Sequence, residues 1–296
     1  MSMRTRGLLE GLGAGLAFGS ASIFIRYLIL FDVNIYAIAF FRLLIATGIL
    51  SLIILMISRY GNVAIPRIDL KTLMYIVSMG IVIGLHFIFF ISAVRDTYIV
   101  NATVLVNTTP ILTLILGALL FKVSIGKWDI QIVIVAFLGG VLLALQDLHL
   151  TGSLIGDIEA VLAAFFQALY LNIGKKIRGS THILLIMAIV YLAAIPVIAL
   201  ASVIEGINLF QLNYTPTVIL LMFAVGAIPT AIGHTLYVSS LKGLKSFETA
   251  TLGLLEPLSA SILAYILFFE SPGIISIVGA GLVLASIFMI SYREKG

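Results

Sequence analysis

The sequence predicts an all-α integral membrane protein with ten transmembrane helices, arranged as two inverted five-helix repeats. Composition predicts the solvent. Sixty-one per cent of the 296 residues are apolar, only 10% are charged, and mean hydropathy is +1.22. A soluble domain carries about 25% charged residues, so most of this chain must face lipid. The distribution of positive charge predicts the alternation of spans. Of the 17 Lys and Arg, fourteen fall in segments on one side when ten spans alternate; Arg95 alone lies in the loops of the other side, and Arg26 and Arg42 lie within spans. Such a bias marks the cytoplasmic side and puts both termini there. Internal similarity at an offset of 147 residues predicts the repeat.

The spans fall at 8–29, 35–57, 72–93, 98–120, 128–146, 154–172, 183–203, 217–240, 246–269 and 273–291, each near the ~20 residues that a bilayer core requires. The first is too long for a signal-peptide core and reads as a span. Turn chemistry separates the others. Pro66 with Arg67, Asp69 and Lys71 marks one loop, Gly126-Lys127-Trp128-Asp129 a second, and Gly174-Lys175-Lys176 with Arg178 and Gly179 a third. Asn213-Tyr214-Thr215-Pro216 and Ser271-Pro272-Gly273 mark two more.

Shifting the first half by 147 lays Ser92-Ala93-Val94-Arg95 on Ser239-Ser240-Leu241-Lys242 and Thr109-Pro110 on Glu256-Pro257. Phe121 meets Phe268, Gly126 meets Gly273, and Ala17-Phe18 meets Ala164-Phe165. The two units are 1–147 and 148–296. Five spans per unit force the second copy to enter the bilayer upside down. Secondary transporters are built this way, with a site near the bilayer midplane between the halves.

The polar residues inside the spans are the candidate site. Glu256 lies mid-span before Pro257, where an ionised carboxylate is expensive. It reads either as a proton-coupling or substrate-contacting acid or as a packing acid that shapes the kink. Its repeat partner, Thr109, is uncharged. Pro110 and Pro257 should kink spans 4 and 9, with Pro229 a third flexion point in span 8. Thr103, Asn107 and Pro110 share one face, and Thr249, Gly253, Glu256 and Ala260 another. Asn107 suits either a cavity contact or an interhelical hydrogen bond. Arg42 suits a counter-charge for a substrate or for Glu256, or else a structural ion pair or a snorkelled side chain. His86 and His234 read as packing residues or as proton relays. Thr230, His234 and Tyr237 share a face, as do Ala163, Gln167 and Tyr170, giving aromatic surface with a few polar groups, as binding cavities have.

Small residues recur every four positions at Gly7, Gly11, Gly15 and Gly19, at Ala136, Gly140 and Ala144, and at Gly281 and Ala285. Such ridges allow close helix packing. In spans 5 and 10 they serve intramolecular packing or a homodimer face. There is no Cys, which excludes disulfides and thiolate chemistry. No metal or cofactor motif appears, so neither is expected. The basic residues read as signals facing anionic lipid, and a nucleic-acid partner is not expected.

Phe18-Gly19-Ser20, Phe40-Phe41-Arg42-Leu43-Leu44, Ser92-Ala93-Val94 and Asn107-Thr108-Thr109-Pro110 resemble, in order and spacing, the EamA branch of the drug/metabolite transporter superfamily. Ser239-Ser240-Leu241 through Leu255-Glu256-Pro257, then Phe268-Phe269-Glu270, extend the likeness over nearly the whole chain. The resemblance implies a ten-helix bundle with a central cavity and peripheral spans 5 and 10. It also implies movement of amino acids, other metabolites or drugs across the cytoplasmic membrane. The family often carries an acid after span 4, matching Glu270 after span 9; here Lys122-Val123 stands instead. The expectation is a carrier of a small amphipathic or amino acid-like solute working by alternating access, not an enzyme. The rivals are an integral-membrane enzyme, for which no catalytic motif appears, and a channel, for which no filter loop or charged ring appears.

Overall fold

In a computed structural model, residues 1–60, 68–97, 99–144, 153–211, 215–268 and 273–292 are described. Pro66, Arg67, Asn213, Tyr214, Phe269, Glu270, Ser271 and Pro272 lie outside these ranges, as do the side chains of Thr103 and Ala144. The described residues are helical, without strand. The helices are α1 (Met3–Leu30), α2 (Ile35–Tyr60), α3 (Leu70–Asp96), α4 (Ile99–Val106), α5 (Thr109–Phe121), α6 (Lys127–Ala144) and α7 (Leu154–Ile177). There follow α8 (Ile183–Ile204), α9 (Pro216–Val225), a π-helical segment (Gly226–His234), α10 (Thr235–Ser240), α11 (Ser246–Gly253), α12 (Leu255–Phe268) and α13 (Ile274–Tyr292). Among the described residues, eight stretches are long and apolar enough to cross a membrane: α1, α2, α3, Val104–Phe121, α7, α8, Pro216–Ser240 and α13.

Polar residues start the helices where they meet water. Ser2 accepts from Thr5 N at 3.0 Å, Asp69 from Thr72 N at 2.9 Å and Asp129 from Gly126 N at 2.9 Å. Each satisfies an amide with no intrahelical acceptor. The Asp69 carboxyl is held below the usual carboxylate range, chiefly by the Thr72 amide. One expected break begins late, at Arg178-Gly179 rather than at Gly174. Gly174, Lys175 and Lys176 continue α7 to Ile177, because Lys in a last turn complements the free carbonyls.

The two expected kinks are breaks, and they lie upstream of the prolines. The chain leaves the helix at Asn107-Thr108 and resumes at Thr109 with Pro110 in the first turn. It leaves again at Leu254 and resumes at Leu255, with Pro257 in the first turn. Proline clashes with the turn before it and donates no hydrogen bond, yet sits well in a first turn. Asn107 and Leu254 stand 147 residues apart.

Small residues set the packing. The ridge on α1 lies along α10–α12: a Cβ on Gly7 would stand 2.9 Å from Ser240 O, and one on Gly15 2.6 Å from Leu252 O. In α6 and α13, Gly139 and Gly279 pack on each other; a Cβ on Gly139 would lie 2.9 Å from Gly279 O. This face is intramolecular. Gly281 instead looks into open space and Ala285 is exposed. Lipid tails are as apolar as these side chains, so close van der Waals contact holds such pairs.

The bundle has two polar ends. Arg4 Nη2 donates to Ile290 O at 2.8 Å, which brings both termini of the helical chain to one end. Lys245, Asp129 and Glu248 share this terminal end. The opposite end holds Arg95, Glu205 and the Thr97–Asp157 hydrogen bond of 2.9 Å.

Candidate functional site

Arg42 anchors the centre. About two turns into α2, it is only 8% exposed. Its Nε donates to Thr230 Oγ1 at 2.9 Å, and Cζ stands 4.6 Å over the Phe87 ring. The ring face attracts the cation and replaces part of its lost hydration. No carboxylate among the described residues comes within 4.0 Å of it, so Arg42 is neither snorkelled nor ion-paired. Nη1 and Nη2 make no hydrogen bond among the described residues, and neither is sealed from solvent. A guanidinium fork oriented in this way matches the two oxygens of a carboxylate.

The mount for Arg42 comes from Pro229. Pro229 has no N–H with which to satisfy a carbonyl in the preceding turn. The next residue supplies the donor: Thr230 Oγ1 donates to Val225 O at 2.7 Å. The backbone widens into the π-helical segment there. The Thr230 carbonyl accepts from Tyr191 Oη on α8 at 2.7 Å. Thr230, fully buried, thus joins α2, α8 and the π segment.

Aromatic rings enclose the space beside this mount. His234 stands 4.7 Å from Phe18 between ring centroids, 5.8 Å from Phe87 and 6.3 Å from Tyr170. Phe18 meets Tyr237 edge-on at 5.2 Å. His234 Nδ1 is buried with no hydrogen-bond partner, and so is Gln167 Oε1. Gln167 lies beside the Tyr237 hydroxyl. His86 Nδ1 lies 2.9 Å from Ala163 O. A carbonyl can only accept, so Nδ1 carries the proton and Nε2 is left to accept.

Glu256, in the first turn of α12, is solvent-accessible and makes no hydrogen bond or ion pair among the described residues. The buried Arg42 lies within electrostatic reach of Glu256.

The structure therefore brings Arg42, His86, Gln167, Tyr170, Thr230, His234 and Tyr237 together, with Glu256 within electrostatic reach. Pro229 builds the mount. Asn107 stands apart, its amide against Gly140 of α6 with Nδ2 unpartnered, and Pro110 is buried beside it. Thr249 does not share the setting of Glu256: the break at Leu254 separates them, and Thr249 is sealed against Ser240 at 2.9 Å. Sequence reasoning missed Phe18, Phe87 and Tyr191 as site residues. Nothing in an apolar span separates a ring facing a cavity from one facing lipid. Among the described residues no group of three or more His, Asp or Glu could hold a metal ion.

A helical bundle with apolar, membrane-length stretches and a charged centre defines a multi-pass membrane protein. The chain belongs to the EamA-like transporter family, whose profile matches residues 5–145 and again 154–292. It is 26% identical over 228 residues to an uncharacterized transporter of Synechocystis sp., covering 71% of this chain and 64% of the relative, so it spans under two thirds of that protein. It is 24% identical over 267 residues to an uncharacterized transporter of Bacillus subtilis, covering 88% and 82% of the two chains. A crystal structure shares the fold at a TM-score of 0.80, with 16% identity over 99% of each chain.

Proposed function

We propose that this chain is a secondary carrier that moves a small amphipathic, carboxylate-bearing metabolite across the cytoplasmic membrane by alternating access. The observation that carries this reading is the pair of intramembrane charges: the open fork of buried Arg42 and the accessible carboxylate of Glu256. Arg42 would bind the solute's carboxylate, the rings around His234 its apolar body, and Glu256 a proton or a cationic group. The reading of two inverted halves, which suits this mechanism, is supported by the family profile matching twice and by helix breaks recurring at the repeat offset. The Lys and Arg bias supports cytoplasmic termini.

The test is solute uptake by purified protein in proteoliposomes, with and without an imposed pH gradient. Candidates come from a thermal-shift screen, since a ligand of the folded state raises its melting temperature. Accumulation of a carboxylate-bearing solute, lost when its carboxylate is amidated, is the expected result. Hydrolysis or group transfer in detergent, or an ohmic ion current, would replace the carrier with an enzyme or a channel.

A further inference from the structure

The carrier reading gives Arg42 a carboxylate to bind, and the groups around Arg42 decide which edge of the guanidinium does so. A guanidinium holds its N–H groups in one plane and offers a carboxylate two edges: the side, Nε with one Nη, and the end, Nη1 with Nη2. At Arg42 the side edge is taken, because Nε donates to Thr230 Oγ1 at 2.9 Å. One face lies against the Phe87 ring, whose centroid is 4.6 Å from Cζ. Among the described residues no carboxylate comes within 4.0 Å of this head. The direction of the guanidinium is therefore set by Thr230 and Phe87, and only the end edge is left to a solute.

Thr230 is itself held so that it can only accept from Arg42. A hydroxyl has a single proton, and that of Thr230 goes to Val225 O at 2.7 Å, the carbonyl that Pro229 leaves without a donor. Oγ1 therefore turns a lone pair to Nε. The Thr230 carbonyl accepts from the hydroxyl of Tyr191, a buried residue of α8, at 2.7 Å. Two glycines seat the π-helical segment on either side of Thr230. A Cβ on Gly226 would stand 2.7 Å from Ile45 Cβ and 3.3 Å from Arg42 O, so the segment lies on the backbone of α2 beside Arg42. A Cβ on Gly233 would stand 3.0 Å from the Phe18 ring of α1. The segment that carries Thr230 is thus seated on α1 and α2 and tied to α8.

We propose that Thr230, braced by Tyr191, is the positioning residue of this site: it occupies the side edge of Arg42 and makes the protein take a carboxylate end-on, through Nη1 and Nη2 alone. Such a site accepts a flat anion with two acceptor oxygens. It rejects the amide of the same shape, which turns N–H groups toward the N–H groups of Arg42 and leaves them unpaired. The assignment rests on the carrier reading for the ligand of Arg42, and the two can fail separately.

The probe is formate, the smallest carboxylate, with formamide as its neutral counterpart and chloride as a plain anion. The full chain, carrying isotope-labelled arginine, is followed by NMR in lipid nanodiscs, and Arg42→Lys identifies the Arg42 signals. In the wild type, formate should move the Nη protons and leave the Nε proton, already bonded to Thr230, near its starting position. Formamide and chloride should move neither. Thr230→Val keeps the shape and removes the hydroxyl. Formate should then move the Nε proton as well, and bind about fivefold more weakly, because the guanidinium is no longer aimed in advance. Thr230→Ser should restore the wild-type pattern. Tyr191→Phe, which leaves the Thr230 hydroxyl in place and loosens its support, should fall between the two. An Nε proton that moves with formate in the wild type overturns the proposal. So does one that stays in place in both Thr230→Val and Tyr191→Phe, since Thr230 then only holds the fold; either result leaves Arg42 standing as the carboxylate site. Formate that moves no Arg42 signal in any of these proteins removes the carboxylate site and, with it, the reading on which the proposal rests.

Discussion

Each of two helices breaks just before a proline, and the two breaks have opposite chemistry. At the first break, hydroxyls seal the loose backbone: Thr108 Oγ1 donates to Leu105 O at 2.6 Å and Thr109 Oγ1 to Val106 O at 2.7 Å. Thr113 takes the Thr109 carbonyl at 2.7 Å, and Asn172 takes that of Thr113 at 3.1 Å. Thr109 is 6% exposed. At the second break Glu256, at the position matching Thr109, is exposed. Serines satisfy the carbonyls around it, Ser259 that of Leu255 and Ser261 that of Pro257 at 2.8 Å. The two interruptions, 147 residues apart, thus differ in how they are finished. One is closed by hydrogen bonds, and the other presents a charge.

Placing a carboxylate at the sealed break is the harshest challenge to this contrast. Thr109→Glu should destabilise the protein by about 3 kcal/mol, the cost of an acid with no water or partner at mid-span. Thermal unfolding in detergent reads it; a melting temperature equal to that of Thr109→Val would mean that the first break is as wet as the second. Next come the prolines. Pro257→Ala should let α11 and α12 fuse and slow solute uptake in proteoliposomes severalfold. Pro110→Ala, where threonines hold the break, should change uptake by less than about twofold. Equal effects would erase the distinction. Asn107→Ala should change stability by no more than about 0.6 kcal/mol, since Nδ2 has no partner to lose.

The smallest effect lies outside both breaks. Asp69→Ala should lower the melting temperature slightly at neutral pH. The Asp69 carboxyl is held low in the folded state, so its stabilisation is present above the unfolded value of 3.8 and fades as pH falls through the folded one. Wild type and Asp69→Ala should therefore converge in acid; a difference that persists there would assign the loss to something other than the cap.

Much of the fold was legible because lipid imposes a coarse rule: apolar stretches of fixed length, charges at their ends. The lysines at α7 were misread because Gly-Lys-Lys signals a turn and a helix end alike. The prolines were legible, but their action was displaced, since a proline disturbs the turn before itself and not its own position. His234 with Tyr237, and Gln167 with Tyr170, could be grouped from helical spacing on single elements. The role of Thr230 could not, because it depends on Pro229 freeing Val225 O and on Tyr191 arriving from another helix. The Lys245–Asp129 contact joins residues 116 apart, and no local pattern encodes it.

The account rests on Glu256 being the working member of the two breaks. Its most direct test is pH-gradient-driven uptake of the solute identified by thermal shift, measured for wild type, Thr109→Val and Glu256→Gln in proteoliposomes. Thr109→Val should accumulate solute at close to the wild-type rate, and Glu256→Gln should lose at least about tenfold, the equivalent of 1.4 kcal/mol. Accumulation by Glu256→Gln equal to that of wild type would contradict it.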